Sequence, residues 1–224
     1  MRYFFFTIVF LSIISCTEND KKKDTETNTY YSKYLEIYNS YKSLGPEETI
    51  KQLDKYIGEF PNAQDAYIFK AYILAKNEEI DKIDAVFNKA LEFDSSNIDI
   101  YHYWASLLML DSTKIEKSIK VNEIGFQIDS TNLILKNNFT WQLLFDENYS
   151  AALENAISLV EQDTSNNFLF LRTQAIASIA NNNDSIYRFA ITQSLNLGLE
   201  DTMSIHKFKE SKMSLYELYK RISL

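Results

Sequence analysis

The sequence predicts an all-α fold in which antiparallel helix pairs stack one after another into a solenoid. Only four Gly and two Pro occur in 224 residues, and hairpins and tight turns need those residues. From Tyr30 onwards the apolar residues recur with helical spacing. The helical segments themselves recur about every 34 residues. A helical unit of that length has room for two short helices and their turns, so stacked pairs are expected.

Residues 1–15 have the three parts of a secretory signal. Arg2 is followed by an uncharged run over residues 3–14 and then by the small residue Ser15. The run is too short to cross a bilayer, which needs roughly 20 apolar residues. We therefore expect this segment to be cleaved. Loss of Arg2 would change the formal net charge from −8 to −9.

The residues at the cleavage point, Ile13-Ile14-Ser15-Cys16, resemble the lipobox of bacterial lipoproteins. In that family the Cys after the cleavage point takes a diacylglyceryl group through its sulfur. Cys16 is the only Cys in the chain, so no disulfide can form within one chain. The resemblance implies a lipid on Cys16 that anchors the protein to the outer membrane, on its periplasmic or exterior face. An ordinary signal peptide with an incidental Cys16 is the alternative.

Residues 16–29 follow as a polar segment that includes a run of three lysines, and it has too little apolar surface to order itself. We expect a disordered tether here, although contact of the lysine run with anionic lipid is an alternative. Residues 30–200 are assigned to the helical repeats. The tail, residues 201–224, has an apolar pattern of its own and is expected to be a helix that caps the last repeat.

The repeat is clearest in three turns in which an aspartate precedes Ser or Thr and then Asn. Asp94, Asp129 and Asp163 lie at the same phase, 35 and then 34 residues apart. One unit earlier, Pro61 occupies the corresponding turn. Because Asp, Ser and Thr favour helix starts, we expect the three aspartates to cap the helices that follow.

The period and the residue pattern resemble those of the tetratricopeptide repeat (TPR) family, whose units are helix pairs of 34 residues. Large and small residues match the family pattern at Tyr67, Ala71, Leu74, Phe87 and Ala90, and again at Tyr101, Trp104, Ala105 and Leu108. Lys70, Lys136 and Asn122 depart from it. The resemblance covers residues 30–199 and implies about five units. Together with the lipobox it suggests a TPR-like bacterial lipoprotein of the Bacteroidetes type.

Several functional classes find no support in the composition or the motifs. A net charge of −8 without a basic stripe argues against nucleic-acid binding. No nucleophile elbow, phosphate loop or zinc-helix motif is present, so we predict no catalytic residue, no metal and no cofactor. Asp99 and His102 could share a helix face and hold a metal, but a capping aspartate with a groove or surface histidine is the favoured explanation.

The TPR resemblance implies that the first helix of each unit lines a concave surface that binds a protein or peptide partner. The residues assigned to that surface are Tyr72, Lys76, His102, Ser106, Asn137, Trp141 and Arg172. Aromatic and basic side chains of this kind are enriched in binding hot spots. The competing interpretation is that some of them, above all Trp141, are buried packing residues. A monomeric envelope scaffold is the preferred function, and carbohydrate or small-ligand binding, or an envelope hydrolase, are the alternatives.

Four short Asp-Ser or Asp-Thr motifs resemble the O-glycosylation acceptor of Bacteroidetes envelope proteins. They begin at Asp111, Asp129, Asp184 and Asp201. Helix capping accounts for the same residues, because Asp, Ser and Thr are favoured at helix starts.

Overall fold

The computed structural model describes residues 20–165, 167–197 and 202–224, with side chains from Tyr30 onwards except at 202 and 203. The predicted signal segment and Cys16 lie outside the described residues. The described part contains α-helices and no β-strand. The helices are α1 (Asp20–Leu44), α2 (Pro46–Glu59), α3 (Gln64–Lys76), α4 (Ile83–Leu91), α5 (Ile98–Leu108), α6 (Ile115–Ile128), α7 (Leu133–Phe145), α8 (Tyr149–Gln162), α9 (Phe168–Ala180), α10 (Asp184–Asn196), α11 (Thr202–Lys209) and α12 (Leu215–Ser223).

The first ten helices form five pairs, from α1 with α2 to α9 with α10. Each second helix also packs against the first helix of the next pair, which joins the pairs into a continuous stack. The first helices α3, α5, α7 and α9 contact one another in sequence, more closely than the second helices do. The stack therefore curves with the first helices on its inner side. This arrangement confirms the predicted all-α solenoid of helix pairs.

The residues that match the TPR pattern form the core. Ala71, Ala105 and Ala152 are fully buried, because two helix backbones approach to 8–10 Å only where the side chains between them are small. Larger residues fill the remaining space: Phe87 is fully buried, and Trp104 stacks on it with ring centroids 5.7 Å apart. The sequence pattern thus identified the helix crossings correctly.

The three repeat turns are where the sequence placed them, but their aspartates do not cap the next helices. The helix caps are Asn97, Asn132 and Asn167, whose side-chain oxygens accept N–H groups from the first turns of α5, α7 and α9. Asp129, for example, accepts the backbone N–H of Thr131 at 2.9 Å and its hydroxyl at 2.7 Å. The aspartates stabilise the turns, and an Asn three or four residues later begins the helix.

Part of the segment expected to be a disordered tether is helical. Helix α1 begins at Asp20 and continues without a break to Leu44. A polar segment can extend an existing helix because, once a helix is nucleated, each added residue gains one backbone hydrogen bond. Composition showed only that this segment has little apolar surface, and helix extension does not require any.

The C-terminal tail forms two helices with different neighbours instead of one capping helix. Helix α11 lies on α10, where Ile205 and Ser204 are fully buried and the Tyr187 hydroxyl lies 2.8 Å from Nδ1 of His206. Helix α12 turns back and packs against the first helices of earlier repeats. The reversal occurs near Ser211, whose φ of 58° is in the left-handed region.

Candidate functional site

The residues assigned to partner binding lie on the first helices α3, α5, α7 and α9. We call the face that carries Tyr72, Ser106, Trp141 and Arg172 the inner groove. Each of these residues is partly or fully buried, and Trp141 retains only 2% exposure. The inner groove is therefore not open along its whole length. The element that covers it is the chain's own helix α12.

Tyr219 of α12 makes the central contact. Its ring packs edge-on against Trp141 at 4.7 Å between centroids, and its hydroxyl donates to the carbonyl oxygen of Ser106 at 3.0 Å. The ring also meets Phe145 at 5.4 Å. Burial raises the pKa of Tyr219, while the nearby Arg172 acts in the opposite direction. A neutral hydroxyl buried with a hydrogen-bond partner is the usual arrangement for a tyrosine anchor.

One helical turn earlier, Tyr216 makes a second set of contacts. Its hydroxyl donates to the carbonyl oxygen of Leu110 and accepts the backbone N–H of Ser112 at 3.1 Å. Its ring lies edge-on to Phe145 at 6.2 Å. Tyr216 and Tyr219 are three residues apart, so both rings lie on the same face of α12.

The other end of α12 reaches the second repeat. The Tyr72 hydroxyl donates to the main-chain oxygen of Leu224 at 2.8 Å. Lys76, one turn further along α3, is exposed and lies over the Tyr72 ring, 5.5 Å from its centroid. Helix α12 therefore runs back along the inner groove from α7 towards α3. Four of the seven residues assigned to partner binding, Tyr72, Ser106, Trp141 and Arg172, face this helix.

His102 belongs to a polar network between α5 and α7. The Asn138 amide donates to the His102 carbonyl oxygen at 3.0 Å and lies 3.2 Å from Nδ1 of the same residue. The Ser106 hydroxyl donates to the Asn138 side-chain oxygen at 3.0 Å. Burial lowers the pKa of His102 to about 4, despite the opposing effect of the hydrogen bond with Asn138. At pH 7 the ring is therefore neutral and contributes to the contact between two repeats.

Asn137 lies beside this network and differs from it in one respect. Its side-chain oxygen Oδ1 is buried and accepts no hydrogen bond from the described residues.

Within the same described ranges, no three His, Cys, Asp or Glu side chains lie close enough together to hold a metal ion. None of these helices is both long and apolar enough to cross a bilayer.

Sequence reasoning missed an aromatic cluster at the N-terminal end of the stack. Tyr34 and Tyr38 of α1 pack against Phe69 of α3, with centroids 6.4 and 4.9 Å apart. Tyr38 remains 39% exposed. Tyr103 of α5 lies nearby, and burial, followed by the charges of carboxylates, raises its pKa to about 12. The spacing of tyrosines along α1 is visible in the sequence and could have indicated this cluster.

Sequence reasoning also missed the two tyrosines of α12. The sequence shows that Tyr216 and Tyr219 share one helix face, but it does not show which surface covers that face. The contacts that select it are long-range: Tyr72 and Leu224 are 152 positions apart, and Ser106 and Tyr219 are 113 positions apart.

No protein-family model matches the sequence, and no curated protein matches it either. One similar solved structure is that of YrrB, described as a TPR protein with an unusual peptide-binding site. The two chains are 14% identical, and the match covers 84% of this chain and 97% of that one with a TM-score of 0.49. Because both the identity and the TM-score are low, the likeness to YrrB does not bear on what this chain binds.

Proposed function

We propose that this protein is a helical repeat scaffold that binds a protein segment in its inner groove and is held at the cell envelope by a lipid on Cys16. The observation that carries the binding part is the seating of α12. A helix of ordinary amino acids fits the groove through tyrosine hydroxyls, main-chain oxygens and aromatic packing. A partner helix that carries tyrosines can supply the same contacts, so the groove suits a polypeptide ligand.

The open part of the inner groove adds groups that can orient such a ligand. Lys76 is exposed at one end, and the Asn137 side chain is half-buried. The mixture of aromatic, amide and basic groups matches the composition of protein-binding surfaces.

The binding proposal can be tested by capture from detergent extracts of the envelope with the full chain as bait. The double variant Lys76→Glu with Asn137→Asp changes the groove without touching Trp141. It should reduce recovery of each specific partner at least tenfold while circular dichroism stays helical. The control is Lys120→Glu, an exposed lysine on the second helix α6. Equal recovery by the groove variant and the control would show that the partner docks elsewhere.

The anchoring proposal has a separate test. Cys16→Ser removes the sulfur that would carry the lipid, so metabolic labelling with palmitate should be lost and the uncleaved form should accumulate. The matched control is Ser12→Cys paired with Cys16→Ser, which moves the thiol away from the cleavage point. Palmitate labelling of either variant would contradict lipidation at Cys16.

A further inference from the structure

Helix α12 is held in the inner groove, yet it is attached more weakly than the repeat helices. Only Leu218 and Tyr219 of its nine residues are buried. By contrast, α9 buries eight of its thirteen residues. Because stability of a segment follows from the apolar contacts and hydrogen bonds it loses on opening, α12 is expected to open before the repeats unfold.

The segment that joins α12 to α11 allows such an opening. Residues 210–214 are largely exposed, and Ser211 lies at the left-handed φ of 58° at the point of reversal. Ser214 and Glu217 form a capping box at the start of α12. The beginning of the helix is therefore defined by its own residues and does not depend on the groove.

Departure of α12 would leave an unfavourable empty surface beneath it. Trp141 and Phe145 would lose the rings of Tyr219 and Tyr216 and become exposed. Exposure of large aromatic surface to water is unfavourable. The stable alternatives are therefore α12 or another helix with equivalent contacts, and an open empty groove is disfavoured.

We propose that α12 is an internal competitor for the inner groove, displaced by a partner helix that carries two aromatic residues three positions apart. This inference rests on the proposed function. The two aromatic rings of the partner helix replace Tyr216 and Tyr219 and pack against Phe145 and Trp141. The carbonyl oxygens of Leu110 and Ser106 accept hydrogen bonds from tyrosine hydroxyls at these two places, so tyrosine is favoured over phenylalanine. A partner helix with this spacing binds only as α12 leaves.

The competition lowers the apparent affinity for any ligand. When a binding-competent state is populated to only a fraction f, the apparent dissociation constant is the intrinsic one divided by f. Undocking of α12 by substitution therefore raises the apparent affinity of the groove. That increase is a signature of displacement, since a binding site elsewhere on the solenoid is indifferent to α12.

The test uses a fluorescent peptide with the sequence of residues 212–224 as the probe and the full chain in detergent as the receptor. The variant Tyr216→Ala with Tyr219→Ala undocks α12, and the control variant is Lys212→Ala in the same tail. Fluorescence anisotropy should show at least tenfold tighter binding to the undocked variant than to the wild type or the control. A peptide with both tyrosines replaced by serine should not bind.

Equal affinity of the peptide for the wild type and the undocked variant would overturn the proposal, as would equal binding of the serine peptide. Neither result affects capture of a partner at the exposed end of the inner groove around Lys76, which has its own capture test, so the proposed function can survive this failure. Concentration-dependent dimers of the wild type, dissociated by the peptide, would make a second copy the occupant and would also overturn it.

Hydrogen exchange of the wild type gives an independent reading if the double variant folds poorly. The amides of α12 should exchange at least tenfold faster than those of α9. If both helices exchange only at the rate of global unfolding, α12 is a fixed part of the core and the proposal fails.

Discussion

The repeat body, α1 to α10, and the C-terminal helix α12 are both helical but are stabilised in different ways. In the body, each helix packs against helices that are its neighbours in sequence, and fully buried alanines set the spacing. Helix α12 is held by two tyrosines, whose hydrogen-bond partners lie more than 100 positions away in the sequence. The difference shows that a surface formed by successive repeats can be covered by a distant part of the same chain, through contacts that the repeat pattern does not specify.

A side chain too large for a helix crossing should cause the largest loss in the free energy of unfolding. The loss should affect the body as a whole. Ala105 is fully buried, and the Ser118 hydroxyl donates to its carbonyl oxygen at 2.8 Å. Ala105→Trp should lower the free energy of unfolding by about 1–3 kcal/mol or more. Urea denaturation measures this, with Ala85→Trp on the exposed side of α4 as the control. Equal midpoints for the two variants would contradict the helix-pair register.

The tight packing around Gly125 of α6 gives a second test of the body. A Cβ added at Gly125 would lie 2.9 Å from Cδ1 of Leu135 and 3.1 Å from Cβ of Tyr101. Gly125→Val should therefore destabilise the protein by roughly 1–3 kcal/mol, measured by thermal unfolding. Gly58 in α2 has open space around it, so Gly58→Ala should stabilise by about 0.5–1 kcal/mol. A stabilising Gly125→Val would show that α6 can move aside.

Mild acid should weaken the body through His102, whose pKa is lowered to about 4 in the folded protein. Above pH 6.5 the ring is neutral in both states and has no effect. Between about pH 6.5 and 4 the unfolded chain takes up a proton that the folded protein does not, so stability falls as the pH falls. The loss should be about 1 kcal/mol at pH 5.5.

The variant His102→Gln removes this titration while leaving an acceptor for the Asn138 amide. Its free energy of unfolding, measured from pH 7.5 to 5.0, should fall less steeply than that of the wild type. Parallel curves for the two proteins would mean that other groups account for the acid sensitivity.

Removal of one hydroxyl from α12 should have the smallest effect on the global free energy of unfolding. It should also distinguish the stability of the tail from that of the body most clearly. Tyr219→Phe loses the hydrogen bond to Ser106, which is worth about 0.5–1.5 kcal/mol. Because α12 opens before the body unfolds, the global free energy should change by less than about 0.5 kcal/mol. Hydrogen exchange in α12 should accelerate severalfold, while α9 stays unchanged. Acceleration of exchange in both helices would place α12 within the cooperative core.

Much of the candidate site could be predicted because the repeat fixes which residues of the first helices face inward. Tyr72, Ser106 and Trp141 all lie on that face, as the helical phase indicates. Whether they are open to a partner could not be predicted. Trp141 is buried because a ring 78 positions later packs on it, and side-chain type alone does not distinguish an exposed anchor from a covered one.

The sequence by itself determined the helical class, the period near 34 residues, the turns and the small residues at the crossings. These features are local or recur at a fixed distance, so periodicity and residue size reveal them. Tertiary structure alone decided the destination of the tail. The apolar face of α12 shows that some surface must cover it, but the last open repeat and the inner groove satisfy that requirement equally. The contacts of Tyr216 and Tyr219 with α5 and α7 select the groove.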